Sequence, residues 1–148
     1  QLRAVATMQA ENMAERIRAN RAGARDGHYN VTGDMPTAYT TDCSTEECTP
    51  SELAVFDLVS WNEEGDGARP EESNADTLPG GDGTVCIDST PDDGDADDWA
   101  CDNEGIVYAV KLVWDERTVG ADDLGEDEDG NAAVADTARQ FLFVRVVP

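Results

Sequence analysis

Apolar positions near the start of the chain recur at intervals of three and four: Leu2, Val5 and Ala6, then Gln9 in the same stripe, Met13 and Ile17. The residues between them are mostly Ala, Glu, Arg, Gln and Met, which favour the helical backbone, so the pattern predicts a helix from the first residues to about residue 22. Arg16, Arg18 and Arg21 gather in its last turns, where cations complement the helix dipole, and Gly23 is the expected stop. The stripe is narrow and rich in Ala, which suits packing one face against a sheet or against other helices.

A second helix is signalled at "TPSELAVFDLVSWNEE", over about residues 50–62. Thr49 is the N-cap, Pro50 takes the first helical position, and Glu52 completes a capping box. Leu53, Phe56 and Val59, with Leu58 and Trp61, are expected to form its buried face. Further on, the period changes to two. "GTVCIDS", "GIVYAVKLVWDE" and "RQFLFVRVVP" are rich in β-branched and aromatic residues and read as strands, the first introduced by the turn "LPGGDG". In the middle strand Tyr108, Val110, Leu112 and Trp114 alternate with Val107, Ala109, Lys111 and Val113. The first set is the more apolar face and is expected to cover the N-terminal helix. Helices followed by a β-meander make an α+β chain, and 148 residues support one domain with a modest core. Its parts are a helix at 1–22, a connecting region at 23–83 that holds the second helix, and a meander with acidic loops at 84–148.

Charge adds a second division. The whole chain has 10 Lys and Arg against 33 Asp and Glu, a formal charge of -23. Residues 1–25 hold five arginines and two acids, a local +3 that leaves -26 on residues 26–148. Such a balance opposes contact with bare nucleic acid or an anionic membrane surface. It also keeps a surface hydrated at high salt, where screening removes the self-repulsion, and so points to a salt-adapted organism.

The four cysteines form two near pairs, Cys43/Cys48 and Cys86/Cys101, neither spaced C-x-x-C, and the one histidine, His28, stands far from both. Zinc and thioredoxin chemistry are therefore disfavoured, and disulfides fit an oxidising compartment, periplasm or cell surface. Of three possible connectivities the favoured one pairs sequence neighbours. No run approaches the ~20 apolar residues of a membrane span, and no secretory leader precedes the helix. An exported disulfide protein without an export signal implies a natural N-terminus upstream of Gln1.

Catalysis is not expected. His28 lies in a Gly/Asp/Tyr loop and reads as a surface residue, and the nucleophile, phosphate-loop and zinc-protease motifs are missing. One loop has the spacing of a cation site: Asp93, Asp95 and Asp97 stand at positions 1, 3 and 5 of a calcium-loop count, with Glu104 at position 12. Position 6 is Asp98 where the turn wants Gly, and no helix flanks the loop, so a solvated acidic loop is the competing reading. A second acidic run, Asp122 to Asp129, lacks the downstream carboxylate. Trp61 and Trp114 belong to amphipathic elements and are expected in the core. Trp99, alone in the acidic loop, is expected to pack over a Cys86/Cys101 bridge or to touch a partner.

The order of "ENMAERIRAN" with "RAGA", "CTPSELAVFDLVSWNEE", "LPGGDGTV" and "VKLVWDE" resembles the PilV family of type IV pilus minor pilins, along nearly the whole chain. The resemblance implies a type IV pilin-like fold: a spine helix on an antiparallel sheet of about four strands, closed by a disulfide-bearing region. The fourth strand would lie between Asn30 and Thr41 or near Thr77. It further implies that the helix is the distal half of a longer one whose apolar N-terminal half sits in the inner membrane until assembly. Leu2, Val5, Met13 and Ile17 are then candidates for the partner interface. The implied role is non-enzymatic and needs no cofactor: a subunit of a tip complex that primes assembly and presents an adhesin, with other minor pilins, the tip adhesin and the major pilin as partners. It would pass from the inner membrane and periplasm to the pilus tip at the cell surface. A type II secretion pseudopilin and an extracellular calcium- or ligand-binding domain are the rival readings.

Overall fold

A computed structural model describes residues 1–62, 74–118 and 136–148. The acidic run Asp122–Asp129 and the polar stretch 63–73 lie outside the described residues.

Helix α1 spans Leu2–Ala19 and buries Ala6, Gln9, Ala10, Met13, Ala14 and Ile17, the stripe that the three-four spacing defines. It ends one turn before Gly23. Asn20 leaves the helical region (φ -100°, ψ 64°), and a short helix α2, Arg21–Arg25, starts from it. Asn20 is suited to the break because its side chain replaces what the backbone loses: Oδ1 accepts from Gly23 N–H at 3.2 Å and Nδ2 donates to Pro50 C=O at 2.7 Å. Gly23 is therefore not the stop. It is buried inside α2, where a Cβ would fall 2.5 Å from Asn20 Nδ2 and 2.8 Å from the Pro50 oxygen. Glycine is needed there for close approach.

Helix α3 spans Pro50–Asn62 and opens with the expected capping box: Thr49 N–H donates to Glu52 Oε2 at 2.9 Å, and Glu52 N–H to Thr49 Oγ1 at 3.3 Å. The bonds that its carboxylate accepts from Thr49 N–H and from the Thr49 and Thr41 hydroxyls lower the Glu52 pKa. The buried face differs from the expected one. Ala54, Asp57, Leu58, Val59, Trp61 and Asn62 are buried, while Leu53 and Phe56 are only half-buried, Phe56 against Tyr39 with ring centroids 4.9 Å apart. A polar residue, Asp57, turns inward because Tyr29 and Arg16 meet it there, as described below.

A single turn, α4 (Asn74–Thr77), precedes the sheet, so Thr77 is helical rather than part of a strand. Pro79 and Gly80 then occupy the centre of a turn closed by Gly81 N–H to Leu78 C=O at 2.9 Å, with Gly80 at φ +58°. Pro then Gly at these positions is the composition of a type II turn.

Strands β1 (Asp82–Ile87), β2 (Tyr108–Thr118) and β3 (Asp136–Val146) form one antiparallel sheet in the order β1-β2-β3. Val85 faces Val110, and Leu112 faces Leu142. Among the described residues the sheet has three strands. The segment after Asn30 makes no strand but leans on the open edge of β1: Val31 N–H bonds Val85 C=O at 2.8 Å, and Ile87 N–H bonds Asn30 Oδ1 at 2.8 Å. Helix α1 packs on the face that carries Val85, Tyr108, Val110, Leu112, Trp114, Leu142 and Val146, with Trp61 in the same cluster. Burial of this sort contributes about 1.5–3 kcal/mol per large side chain, and it is the main support of the fold. Helices on an antiparallel sheet with two disulfides, Cys43–Cys48 and Cys86–Cys101, are consistent with a pilin-like α+β fold.

Seven consecutive residues of β2, Tyr108 to Trp114, are buried. A strand buried on both faces needs a second cover. That cover is the acidic segment 88–107, which has neither helix nor strand and is tied to β1 by Cys86–Cys101.

Candidate functional site

Two polar clusters, one on each side of the sheet, set which surfaces a partner can reach. The first joins α1 to α3. Tyr29 OH donates to Asp57 Oδ2 at 2.6 Å, Arg16 reaches Asp57 Oδ1 at 3.3 Å, and Asn20 Nδ2 donates to Tyr29 OH at 3.1 Å. Burial raises the Asp57 pKa, against the opposing pull of Tyr29 and Arg16. Burial likewise raises the Tyr29 pKa, reinforced by the Asp57 charge, so the phenol stays a donor. Tyr108 OH donates to Ala24 C=O at 2.7 Å and Trp61 Nε1 to Gln9 C=O at 2.8 Å, which fastens both helices to each other and to β2.

The second cluster centres on Lys111, fully buried on the face of β2 away from α1. Its Nζ donates to Asp88 Oδ2 at 2.5 Å and to Trp99 C=O at 2.5 Å, and Asp93 Oδ1 lies 3.8 Å away. Asp88 is fully buried too. A lone buried ammonium would be costly, so the carboxylate and carbonyl above it are what keep it there. The acidic segment is thus pinned by one cation and one disulfide. Between these anchors Ala100 sits at φ +50°, a conformation a non-glycine residue holds only when its surroundings impose it.

The aspartates of this segment serve as turn makers. Asp95 Oδ1 accepts from Asp97 N–H and Asp98 N–H, Asp98 Oδ1 from Ala100 N–H, and Asp102 Oδ1 from Ser89 N–H and Glu104 N–H. Asp102 also accepts a short bond from the Ser89 hydroxyl, and these bonds lower its pKa. Short polar side chains bonded to the backbone two or three residues on explain why so acidic a sequence is ordered.

Of the expected cation ligands, Asp93 bonds Thr90 Oγ1 at 2.7 Å, Asp95 caps the turn just described, and Asp97 and Glu104 are exposed. Among the described residues the grouping of three potential ligands is Cys86, Asp88 and Cys101, whose two sulfurs are joined to each other. All four expected cysteines are in the favoured pairing. Met13 and Ile17 are fully buried under the sheet, and Leu2 and Val5 pack partly on the same core. Those four residues therefore face the domain's own interior, because the sheet takes the stripe. The outward face of α1 is instead Arg3, Ala4, Thr7, Met8, Glu11, Asn12, Glu15 and Arg18, with Met8 62% exposed. Trp61 and Trp114 are in the core, His28 is exposed, and Trp99 is half-buried.

Neither Lys111 nor Asp57 stood out in the sequence as a structural centre. The available signal was a charged residue in the middle of an otherwise apolar run, at both "AVKLV" and "VFDLV". No helix among the described residues is long and apolar enough to cross a membrane.

Residues 1–59 match the family model described as Tt1218-like, type IV pilin Tt1218. The matched stretch holds α1, α2, the loop with Cys43–Cys48 and most of α3, and leaves out the sheet and the acidic segment. No curated protein and no solved structure matches the chain. Over this stretch the chain is similar to a type IV pilin.

Proposed function

We propose that this chain is a non-enzymatic minor pilin of the PilV kind, acting in a tip complex that primes type IV pilus assembly and presents an adhesin. The pilin match over residues 1–59 is the observation that carries this reading. The architecture supports it in physical terms. With its apolar stripe committed to the sheet, α1 offers neighbours an outward face of small and mixed-charge residues around Met8. The sheet's second face lies under the acidic cover, so lateral contacts fall on the cover and on the loops. Its partners would be the other minor pilins, the adhesin and the major pilin, reached after passage from the inner membrane through the periplasm.

Deleting the gene tests the reading. Surface pili should become fewer and lose the tip adhesin, and the full-length gene should restore both. Pili unchanged in number and in tip composition would overturn the minor-pilin role.

A further inference from the structure

Of the chain's ten Lys and Arg, Lys111 alone is a lysine, and its side chain is fully buried. Arginine is the usual cation of a buried ion pair, because its planar fork grips a carboxylate at two points and keeps its charge. What a lysine adds at this position is chemistry. Its amine, once it gives up a proton, is a nucleophile, which a guanidinium is not.

Lys111 Nζ lies 2.5 Å from Asp88 Oδ2, with the carboxyl carbon Cγ one bond beyond. The other oxygen, Asp88 Oδ1, accepts from Thr90 N–H at 3.0 Å. Thr90 also places a second carboxylate: its hydroxyl donates to Asp93 Oδ2 at 2.7 Å, and Asp93 Oδ1 lies 3.8 Å from Nζ. Amine, carboxyl and second acid are thus held together, the first two sealed from water and the third at the surface.

We propose that Lys111 and Asp88 condense into an amide, an intramolecular isopeptide bond that staples the start of the acidic cover to β2. One proton passes from Nζ to Oδ2, which turns the ion pair into an amine and a carboxylic acid. The Nζ lone pair forms a bond to Cγ, and the charge that gathers on Oδ1 is met by Thr90 N–H. Asp93 takes the second proton from the nitrogen and hands it to the departing oxygen; the Cγ–Oδ2 bond breaks and Oδ2 leaves as water. Both hydrogens of that water come from Nζ, so the step consumes no oxidant, reductant or co-reactant. Fixed geometry removes the entropic cost of bringing the groups together, and the dry site denies the amide the water that would hydrolyse it. The product strands no polar group. Its N–H keeps Trp99 C=O, now 2.5 Å from Nζ, and its oxygen keeps Thr90 N–H. The Asp88 carboxylate lies within 4.8 Å of the Cys86 and Cys101 sulfurs, so the new bond doubles the disulfide and holds the cover when that disulfide is reduced.

The intact mass of the whole chain, denatured and with its disulfides reduced, tests the bond. The wild type should fall below its sequence mass by one water, whereas Lys111→Arg and Asp88→Ala should sit at theirs. Trypsin should not cut after Lys111 in the wild type, and fragmentation should place the lost water in a branched peptide joining Asp88 to Lys111. Freshly purified Asp93→Asn should be mostly unreacted, since loss of a general acid–base group slows proton transfer about 100-fold or more. A wild type at full sequence mass would overturn the bond. So would a lost water that maps to ring closure at an aspartate–glycine pair such as Asp82–Gly83. Asp93→Asn that reacts as completely as the wild type would overturn the part given to Asp93. The wild-type mass decides the bond by itself, so a variant that fails to fold does not blur the result, and none of these outcomes depends on the pilin reading.

Discussion

Arg16–Asp57 joins two helices that already hold their own backbone hydrogen bonds, whereas Lys111–Asp88 lies under a segment with no regular secondary structure. In the first region apolar stripes, caps and a glycine contact all favour the same packing, and the ion pair completes it. In the second, residues 88–107 carry few apolar side chains, and their placement falls to Lys111, the Cys86–Cys101 bond and a set of aspartate turns. Burial differs accordingly. Arg16 and Asp57 keep side-chain exposures of 19% and 9%, while Lys111 and Asp88 have none. The lesson is that a polar segment can cover a sheet when its charges are spent on its own backbone and on one buried cation.

The comparison can be broken most forcefully at Lys111. Lys111→Met should strand Asp88 without its cation and cost about 3–5 kcal/mol, lowering the melting temperature by roughly 10 °C or more. Asp88→Leu with Lys111→Met should recover part of that loss. A single variant as stable as the wild type would show that the cover does not depend on the pair. Next in size, the Cys86→Ala/Cys101→Ala pair opens a link of sequence separation 15. It should cost about 3 kcal/mol on the chain-entropy account. Cys43→Ala/Cys48→Ala opens a link of separation 5 and should cost less. Denaturant melts of the two double variants give the order directly.

At the helical junction, Asp57→Ala should cost about 1–3 kcal/mol by leaving the buried Tyr29 hydroxyl without its acceptor. Asp57→Asn, which keeps an acceptor for Tyr29, should cost less. Its pH behaviour is the sharper readout. The folded pKa of Asp57 is raised, so the fold holds the proton more tightly than the unfolded chain does. The resulting contribution is fully present below the ordinary carboxylate pKa, about 4, and is lost as pH rises through the raised value. Asp57→Asn should therefore lose less stability than the wild type between acid and neutral pH, and parallel pH profiles would refute the assignment. Thr49→Ala removes a helix cap and should cost about 1 kcal/mol. Smallest of all, calcium at low salt should move the melting temperature by less than about 1 °C, since Asp95 is already bonded to backbone N–H groups and Asp93 to the Thr90 hydroxyl. A larger shift would support the cation reading of Asp93, Asp95, Asp97 and Glu104.

Both helices, the capping box, the three strands and the face of β2 that receives α1 were legible in the sequence. Each of them is set by residues within a few positions of one another. The break at Asn20 and the rotation of α3 toward Asp57 were not, because they depend on where Pro50, Tyr29 and Arg16 arrive in space. The burial of Met13 and Ile17 within the domain was not legible for the same reason: a stripe at helical spacing states that a face is covered, but not by what. Among the candidate site residues, the cysteine pairing followed from sequence proximity. The acidic spacing fits a calcium loop and a turn maker alike, because an aspartate that bonds to the backbone two and three residues ahead, as Asp95 does, recurs at similar intervals.

The sequence by itself determined the helical and extended segments, their caps and turns, and the split between a basic helix and an acidic body, all of which follow from local backbone preference and composition. Only the tertiary structure decided that Lys111 would be buried, that the acidic segment would roof the sheet, and which face of α1 would remain open. Those outcomes depend on desolvation and on partners distant in the chain, and a charged residue shows whether it is buried only once its partner is in place.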